Sequence, residues 1–346
     1  ALGAPVIDGG DLYNFPTRHH LYATESKKEL IEAADVVLAL DVYDLAQAFS
    51  GAHYASRDPV DLMRPDAKLI DVSLRQQNVR SWAQDYGRLY PTSMSVTADT
   101  AVAVPAIAEL VQRRVEDDQL VMSKAEERRS HVKELHVSAR EAALREAAQP
   151  MAEDGTLRLG FVAQKIWETI KDVDWVLGNG DLRGWVQRLW DFTSANQNMD
   201  SRGGGGLGQG FGHAIGVALA NRDQGRVTIN IQSDGDLLFT PSAIWTAVHH
   251  RIPMLVVMYN NRTYGNDLGH QALVAQMRGR PEENKHVGIN IEDPYVDFSS
   301  MARSFGAWAE GPIELPEDLG PALERALKAV VENGAVALVD VITEVR

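Results

Sequence analysis

Two short apolar segments, residues 227–231 and 254–258, flank a helical pattern in this chain, and polar residues follow each of them. Such segments are typical of strands buried on both faces of a sheet. Between them, Thr240, Pro241 and Ser242 resemble a helix N-cap followed by proline at the first helical position. A strand–helix–strand connection is right-handed and makes its strands parallel, so we expect the polar residues after both strands at the same edge of one sheet.

Asp234 follows the first of these strands, and Asn261 follows the second. Ligands of doubly wound sheets bind at that carboxyl edge. A carboxylate oxygen, an amide oxygen and a backbone carbonyl such as that of Thr263 would supply about half of an octahedral Mg²⁺ shell, which ligand phosphates and water complete. Gly235 lets backbone N–H groups approach phosphate oxygens, and the helix that follows adds its positive end. An ordinary Asp-Gly turn with an Asn-Asn loop is the alternative, but the spacing and the element order favour a metal site.

At these residues the chain resembles the diphosphate-binding domain of thiamine diphosphate enzymes, in the acetolactate synthase-like branch. The signature of that family is Gly-Asp-Gly, followed further along by Asn-Asn. Ser233 replaces the first glycine here and leaves the ligand unchanged. The resemblance implies thiamine diphosphate and Mg²⁺ as cofactors, with the metal held by Asp234, Asn261 and the carbonyl of Thr263. It also implies that Gly235, Asp236 and Asn261 lie near the diphosphate.

A glycine-rich segment lies just upstream, with six glycines among residues 203–210. This composition indicates either a backbone that approaches another group closely or a flexible loop, and the position before the metal motif favours the first. In the family, a bulky apolar residue here holds the cofactor in a V-shape. The resemblance assigns that role to Leu207, with the carbonyl of Gly205 and the N–H of Leu207 bonding the aminopyrimidine.

A weaker match covers residues 174–185, where relatives have a strand, a cofactor-contacting glycine and then Gln-His-Gln. Gly180 fits the glycine. Asp181, Leu182 and Arg183 replace the polar trio, so the family's side-chain contacts with the diphosphate do not carry over to these positions. A simple Asn-Gly turn between strand and helix is the alternative.

Composition narrows the class of protein. The chain has 346 residues, of which 45% are hydrophobic and 24% charged, and this predicts a soluble globular protein of two domains. No apolar run is long enough to span a membrane. The net charge of −14 argues against nucleic acid as a partner. With no cysteine, disulfides and thiolate chemistry are excluded, and we predict a cytoplasmic location.

The predicted fold class is α/β, with two doubly wound parallel-sheet domains. Residues 1–122 show strand patterns at 36–40 and 69–72 and a helix at 100–114, and they resemble the family's central domain without its first strand and helix. Some members bind FAD or ADP there, but no glycine-rich fingerprint supports a nucleotide here. Asp71 could contact a ribose, although a carboxylate at a strand end is more often simply solvated. A helical linker at 123–155 and a thiamine diphosphate-binding domain at 156–346 complete the prediction.

Residues 264–281 follow the metal motif, and in relatives this region covers the active site. Arg278 and Arg280 could bind a carboxylate or phosphate, and His270 could relay protons. A solvated surface loop is the alternative.

The family's activating glutamate lies on a pyrimidine-binding domain, which this chain lacks, so we assign no catalytic residue. We expect a subunit or fragment that carries this domain as a partner, in a homo- or hetero-oligomer. A longer polypeptide is the alternative.

These patterns predict a thiamine diphosphate- and Mg²⁺-dependent enzyme component that makes or breaks a C–C bond adjacent to a carbonyl of a small-molecule substrate. Acetolactate synthase-like decarboxylation and carboligation of 2-oxo acids is the favoured reaction. A lyase acting on a 2-hydroxy ketone or 2-hydroxyacyl thioester is nearly as compatible. A non-catalytic regulatory subunit is less favoured, because Asp234, Asn261 and Leu207 are chemically competent.

Overall fold

The computed structural model describes residues 1–9, 13–52, 59–74, 89–199 and 206–345. The chain divides into two compact units. The first comprises Ala1–Gly10 and His19–Ala139, and the second Asp11–Arg18 and Arg140–Arg346. The domain limits drawn from the sequence stay a prediction.

The first unit contains a parallel sheet of the order β1-β4-β5 and an antiparallel pair, β2 and β3. Ile31, Leu45, Phe49 and Leu69 lie in its apolar core. The predicted strands at 36–40 and 69–72 and the helix at 100–114 are confirmed. The elements are α1 Lys27–Ala33, β1 Val36–Leu40, α2 Leu45–Phe49, β2 Ser50–Ala52, β3 Pro59–Asp61, β4 Lys68–Val72, β5 Met94–Val96, α3 Thr100–Glu116 and α4 Gln119–Ala147, the last of which continues into the second unit.

Helix α4 coincides with most of the segment predicted as a helical linker, and its 29 residues are rich in charge. Among the described residues, no helix is both long and apolar enough to cross a membrane.

The second unit is built on a parallel sheet of the order β6-β7-β8-β10-β9. The doubly wound α/β fold predicted from the sequence is therefore confirmed. Its elements are α5 Leu159–Ile170, β6 Trp175–Asn179, α6 Trp185–Leu189, α7 Gln209–Asn221, β7 Val227–Ser233, α8 Asp234–Phe239, α9 Ser242–His249, β8 Met254–Asn260, α10 Gly265–Met277, α11 Phe298–Ser304, β9 Trp308–Ile313, α12 Pro316–Asn333 and β10 Val336–Ile342.

Helices cover both faces of this sheet. Successive strand residues point to opposite sides, so each strand contributes side chains to both cores. On β8, Leu255 and Val257 join the core beneath α5, α6 and α12, whereas Met254, Val256 and Met258 pack toward α7, α9 and α11. Burying both faces explains why the strands read as continuous apolar runs.

The helix predicted to open at Thr240, Pro241 and Ser242 is confirmed and begins at Ser242, but the segment before it, for which the sequence indicated only a turn, forms the short helix α8. Asp234 and Asp236 lie in the first turn of α8, where negative charge stabilises a helix, and Leu237 is fully buried beneath it. Burial of Leu237 thus stabilises a helix in six residues whose local sequence favours a turn.

Candidate functional site

Strands β7 and β8 are parallel, with Ser233 paired to Tyr259 at their ends. Asp234 and Asn261 therefore emerge at the same carboxyl edge, as the sequence predicted. This edge holds the candidate site.

Asp234 is almost completely buried, at 1% exposure, and its Oδ2 has no hydrogen-bond partner. Burial raises the pKa of this carboxyl to about 6, although hydrogen bonds from the backbone N–H groups of Gly235, Arg262 and Thr263 oppose the rise. A buried oxygen without a partner costs free energy unless a cation or a donor pairs with it. The Asp234 carboxylate thus has one oxygen that a cation or a donor could pair with.

The two asparagines that follow β8 have different partners. Asn260 is buried, and its Nδ2 donates to Oδ1 of Asp340 at 3.1 Å. Asn261 is half-buried, and its Oδ1 accepts a hydrogen bond from the backbone N–H of Thr263 at 3.1 Å. Asn260 therefore anchors the end of β8 to β10, while Asn261 lies at the candidate site.

These residues fit a hard divalent cation. Within the described chain no cluster of three or more His, Cys, Asp or Glu side chains could hold a metal, so a cation at this edge would bind the Asp234 carboxylate together with neutral oxygens. The unpaired Oδ2 of Asp234 is that carboxylate oxygen, and the carbonyl of Thr263, although it accepts from the N–H of Gly265 at 3.0 Å, keeps a second lone pair. Mg²⁺ commonly binds one or two carboxylates and completes its shell with ligand phosphates and water.

Packing against Tyr264 requires glycine at position 235, independently of any bound phosphate. A Cβ at this position would lie 2.6 Å from Cε1 of Tyr264, so the tyrosine ring rests directly on the glycine. Phe239 packs edge-on against the same ring, with centroids 6.3 Å apart.

Asp236, in the first turn of α8, is hydrogen-bonded to Gly208 of the glycine-rich segment. Its Oδ1 accepts from the backbone N–H of Gly208 at 2.6 Å, and its Oδ2 accepts from Nε2 of Gln232 at 2.6 Å. On the other side, Oγ1 of Thr240 donates to the carbonyl of Gly208 at 2.7 Å. Asp236 therefore positions the backbone that carries Leu207, and its predicted proximity to the diphosphate stays a prediction.

Leu207 is 53% exposed, which leaves its side chain available to a ligand. Gly205 lies outside the described residues. The roles that the resemblance assigns to both stay predictions.

Gly180 has a φ of +78°, and a Cβ there would lie 2.3 Å from the carbonyl oxygen of Ile231. Leu182 and Arg183 also have positive φ values, of 49° and 57°, although neither is glycine. In this strained loop, the side chain of Arg183 lies close to Gly265. A Cβ added to Gly265 would lie 3.3 Å from Nη2 of Arg183 and 3.4 Å from Nδ2 of Asn261. A guanidinium thus lies beside the candidate site.

His270, Arg278 and Arg280 lie within and just beyond α10. His270 is half-buried, and both arginines are exposed. Their predicted contact with substrate stays a prediction.

Sequence reasoning missed several polar residues of this edge. Asn230 and Gln232 are fully buried, with Thr228, on alternate positions of β7. Nδ2 of Asn179 donates to Oδ1 of Asn230 at 2.8 Å, so the stripe continues onto β6. A polar period of two inside a central strand was the available signal.

The sheet and its edge define a doubly wound α/β domain with a candidate diphosphate and metal site. Comparison with known proteins assigns the domain. Residues 178–341 match the family described as thiamine pyrophosphate enzyme, C-terminal TPP binding domain. The second unit therefore contains a thiamine pyrophosphate-binding domain, and the chain is similar to enzymes of the acetolactate synthase-like branch.

Individual relatives are distant. A benzoylformate decarboxylase from Pseudomonas aeruginosa is 31% identical over 140 residues, which cover 40% of this chain and 24% of the relative. A protein named as probable acetolactate synthase large subunit, from Methanocaldococcus jannaschii, is 23% identical over 94% of this chain and 52% of its own length. The structure of a thiamine diphosphate-dependent 4-hydroxybenzoylformate decarboxylase from Rhodococcus jostii shares the fold with a TM-score of 0.62, at 20% identity, over 99% of this chain and 56% of that one. The last two relatives match nearly the whole of this chain, but the chain spans only about half the length of each of them.

Proposed function

We propose that this chain is part of an enzyme that uses thiamine diphosphate and Mg²⁺ to make or break a C–C bond next to a carbonyl. The favoured reaction is decarboxylation of a 2-oxo acid, with carboligation as in acetolactate synthase. One observation carries the proposal. Oδ2 of Asp234 is buried without a partner at the edge where Asn261 and Thr263 meet it.

The residues of this chain have separate roles in the proposal. Asp234, Asn261 and the carbonyl of Thr263 hold the metal. Asp236 fixes Gly208, and with it the backbone beside Leu207. Bound thiamine diphosphate supplies a nucleophilic carbon and an electron sink. The protein's task is to orient that group and to keep water away from it.

The comparisons support a 2-oxo acid as the substrate class. The relatives from P. aeruginosa and R. jostii are both named as decarboxylases of a benzoylformate, which is a 2-oxo acid. Arg278 and Arg280 are exposed cations suited to bind the substrate carboxylate, and His270 lies on the same helix. The activating glutamate is proposed to come from a pyrimidine-binding domain on a partner subunit or another segment, in an oligomer.

Calorimetric titration with thiamine diphosphate and Mg²⁺ tests the cofactor site. We expect Asp234→Ala to abolish binding, while Asp223→Asn, which removes an exposed carboxylate from the same unit, leaves it unchanged. Equal binding by Asp234→Ala and the unaltered chain would refute the site.

Release of CO₂ from pyruvate and from benzoylformate tests the reaction, measured on the chain assembled with a pyrimidine-binding domain. Cofactor binding without CO₂ release from either acid would instead favour a non-catalytic subunit. Cleavage of a 2-hydroxy ketone without CO₂ release would favour a lyase.

A further inference from the structure

A second pair of carboxylates lies at the carboxyl edge of the sheet in the first unit. Asp41 directly follows β1, and Asp71 is the penultimate residue of β4, the neighbouring parallel strand. Ser73 lies just past β4, and Thr100 begins α3. Doubly wound sheets bind their ligands at this edge.

Asp41 is already supplied with donors. Its Oδ1 accepts from Oγ of Ser73 at 3.0 Å, and its Oδ2 accepts from Oγ1 of Thr100. These hydroxyls fix the direction of the carboxylate. The φ of Asp41 is +50°, so its backbone is held in a strained conformation at this point.

Asp71 has no such partners. It is only 6% exposed, and its Oδ1 is buried without any hydrogen bond. Burial raises the pKa of Asp71, and the neighbouring charge of Asp41 adds to the rise. Among the described residues, neither carboxylate forms an ion pair with Lys, Arg or His, and the charge that acts on Asp71 is the like charge of Asp41.

We propose that Asp41, Asp71 and Ser73 form a binding site for a hard divalent cation such as Mg²⁺, additional to the site at Asp234. Carboxylate and hydroxyl oxygens are the ligands that such ions prefer. Two neighbouring oxygens of a Mg²⁺ octahedron lie about 3.0 Å apart. Oγ of Ser73 and Oδ1 of Asp41 lie 3.0 Å apart in their hydrogen bond, a separation that two neighbouring ligands of one ion also have.

A cation explains the cluster better than a neutral hydroxyl ligand does. A sugar hydroxyl could donate to Asp71 but would leave the buried charge of Asp71 beside the like charge of Asp41 without a cation. A divalent ion pairs with the free Oδ1 and offsets the repulsion between the carboxylates at the same time.

Binding of Mn²⁺, measured by equilibrium dialysis, tests the proposal. All variants carry Asp234→Asn, so that the other candidate site is silent. We expect one ion per chain and a loss of affinity of about tenfold or more in Asp71→Asn, since a carboxylate ligand is removed. Asp66→Asn is the matched control, because this exposed carboxylate of the same unit pairs only with Arg64. Binding unaffected by Asp71→Asn would overturn the proposal.

Thermal unfolding gives an independent readout. In EDTA, Asp71→Asn should unfold at a higher temperature than the parent, because it removes an uncompensated buried charge. Added Mg²⁺ should then raise the unfolding temperature of the parent and not that of the variant. Equal shifts by Mg²⁺ would contradict the cation site, as would stabilisation by ribose without stabilisation by Mg²⁺. If Asp71→Asn does not fold, Ser73→Ala decides: weaker Mn²⁺ binding supports the site, and unchanged binding overturns it.

Discussion

The carboxylate of Asp236 accepts a hydrogen bond from the backbone N–H of Gly208 at 2.6 Å, which ties the first turn of α8 to the N-cap of α7. Both segments carry a sequence motif, and this contact joins them. The same carboxylate also binds Gln232, which is fully buried. Asp236 therefore holds the first turn of α8 to Gly208 and to β7 at the same time.

Replacing Asp236 by Ala should weaken both stability and cofactor binding. Two hydrogen bonds to a charged acceptor are lost, and the amide of Gln232 is left without this partner, so we expect a loss of about 2 to 4 kcal/mol in the free energy of unfolding. Urea unfolding and calorimetric titration of thiamine diphosphate measure the two effects. Asp223→Ala, on the surface of the same unit, is the control. Full cofactor affinity in folded Asp236→Ala would show that the contact does not position the site.

Gly235→Ala should destabilise the protein through a single clash. The added Cβ would lie 2.6 Å from the ring of Tyr264, and such overpacking typically costs about 1 to 3 kcal/mol. Gly212→Ala is a matched control in α7, since no atom lies within 4 Å of its added Cβ, and it should be neutral or slightly stabilising.

Tyr264→Ala identifies the origin of the Gly235 effect. In the double variant the ring is gone, and the cost of Gly235→Ala should largely disappear from a double-mutant cycle of unfolding free energies. Strictly additive effects would mean that the ring is not the cause.

The sequence predicted the sheet edge because its signals are local. The apolar runs of β7 and β8 define buried strands, and their order along the chain makes them parallel, so Asp234 and Asn261 had to emerge together. The role of Asp236 depends on Gly208, which is remote in sequence, so no local pattern could show it. Helix α8 escaped prediction for a related reason, because burial of Leu237 outweighs the turn propensity of Asp-Gly-Asp.

Asp340 should make stability depend on pH. Burial raises its pKa from 3.8 to about 7, although the hydrogen bond from Asn260 opposes the rise. Because the folded-state pKa lies above the unfolded value, the stability that the neutral acid contributes is complete below about pH 4 and is lost as pH rises through 7. One pKa unit corresponds to about 1.4 kcal/mol, so the full effect is on the order of 4 kcal/mol.

Asp340→Asn removes this titration and keeps an acceptor for Asn260. In urea unfolding with EDTA, the original chain should lose stability relative to the variant between pH 5 and pH 8. Asp318→Asn, an exposed position in the first turn of α12, serves as the comparison. Parallel pH profiles for the original chain and Asp340→Asn would contradict a buried, titrating Asp340.

Arg183 should bind the diphosphate of the cofactor. Its guanidinium lies beside Gly265 and Asn261, and its charge also acts on the hydroxyl of Tyr259. The family's polar residues are replaced at this position, so a guanidinium, with its paired N–H donors, is the group available to bind phosphate oxygens there.

We expect Arg183→Ala to weaken thiamine diphosphate binding about tenfold, as loss of a charge-assisted contact would. Binding of thiamine, which has no phosphate, should change little, so the ratio of the two affinities isolates the contact from general damage. Arg222→Ala, which removes a surface cation from the same unit, should leave that ratio unchanged. An equal loss for thiamine and thiamine diphosphate in Arg183→Ala would mean that the arginine only supports the strained loop from Gly180 to Gly184.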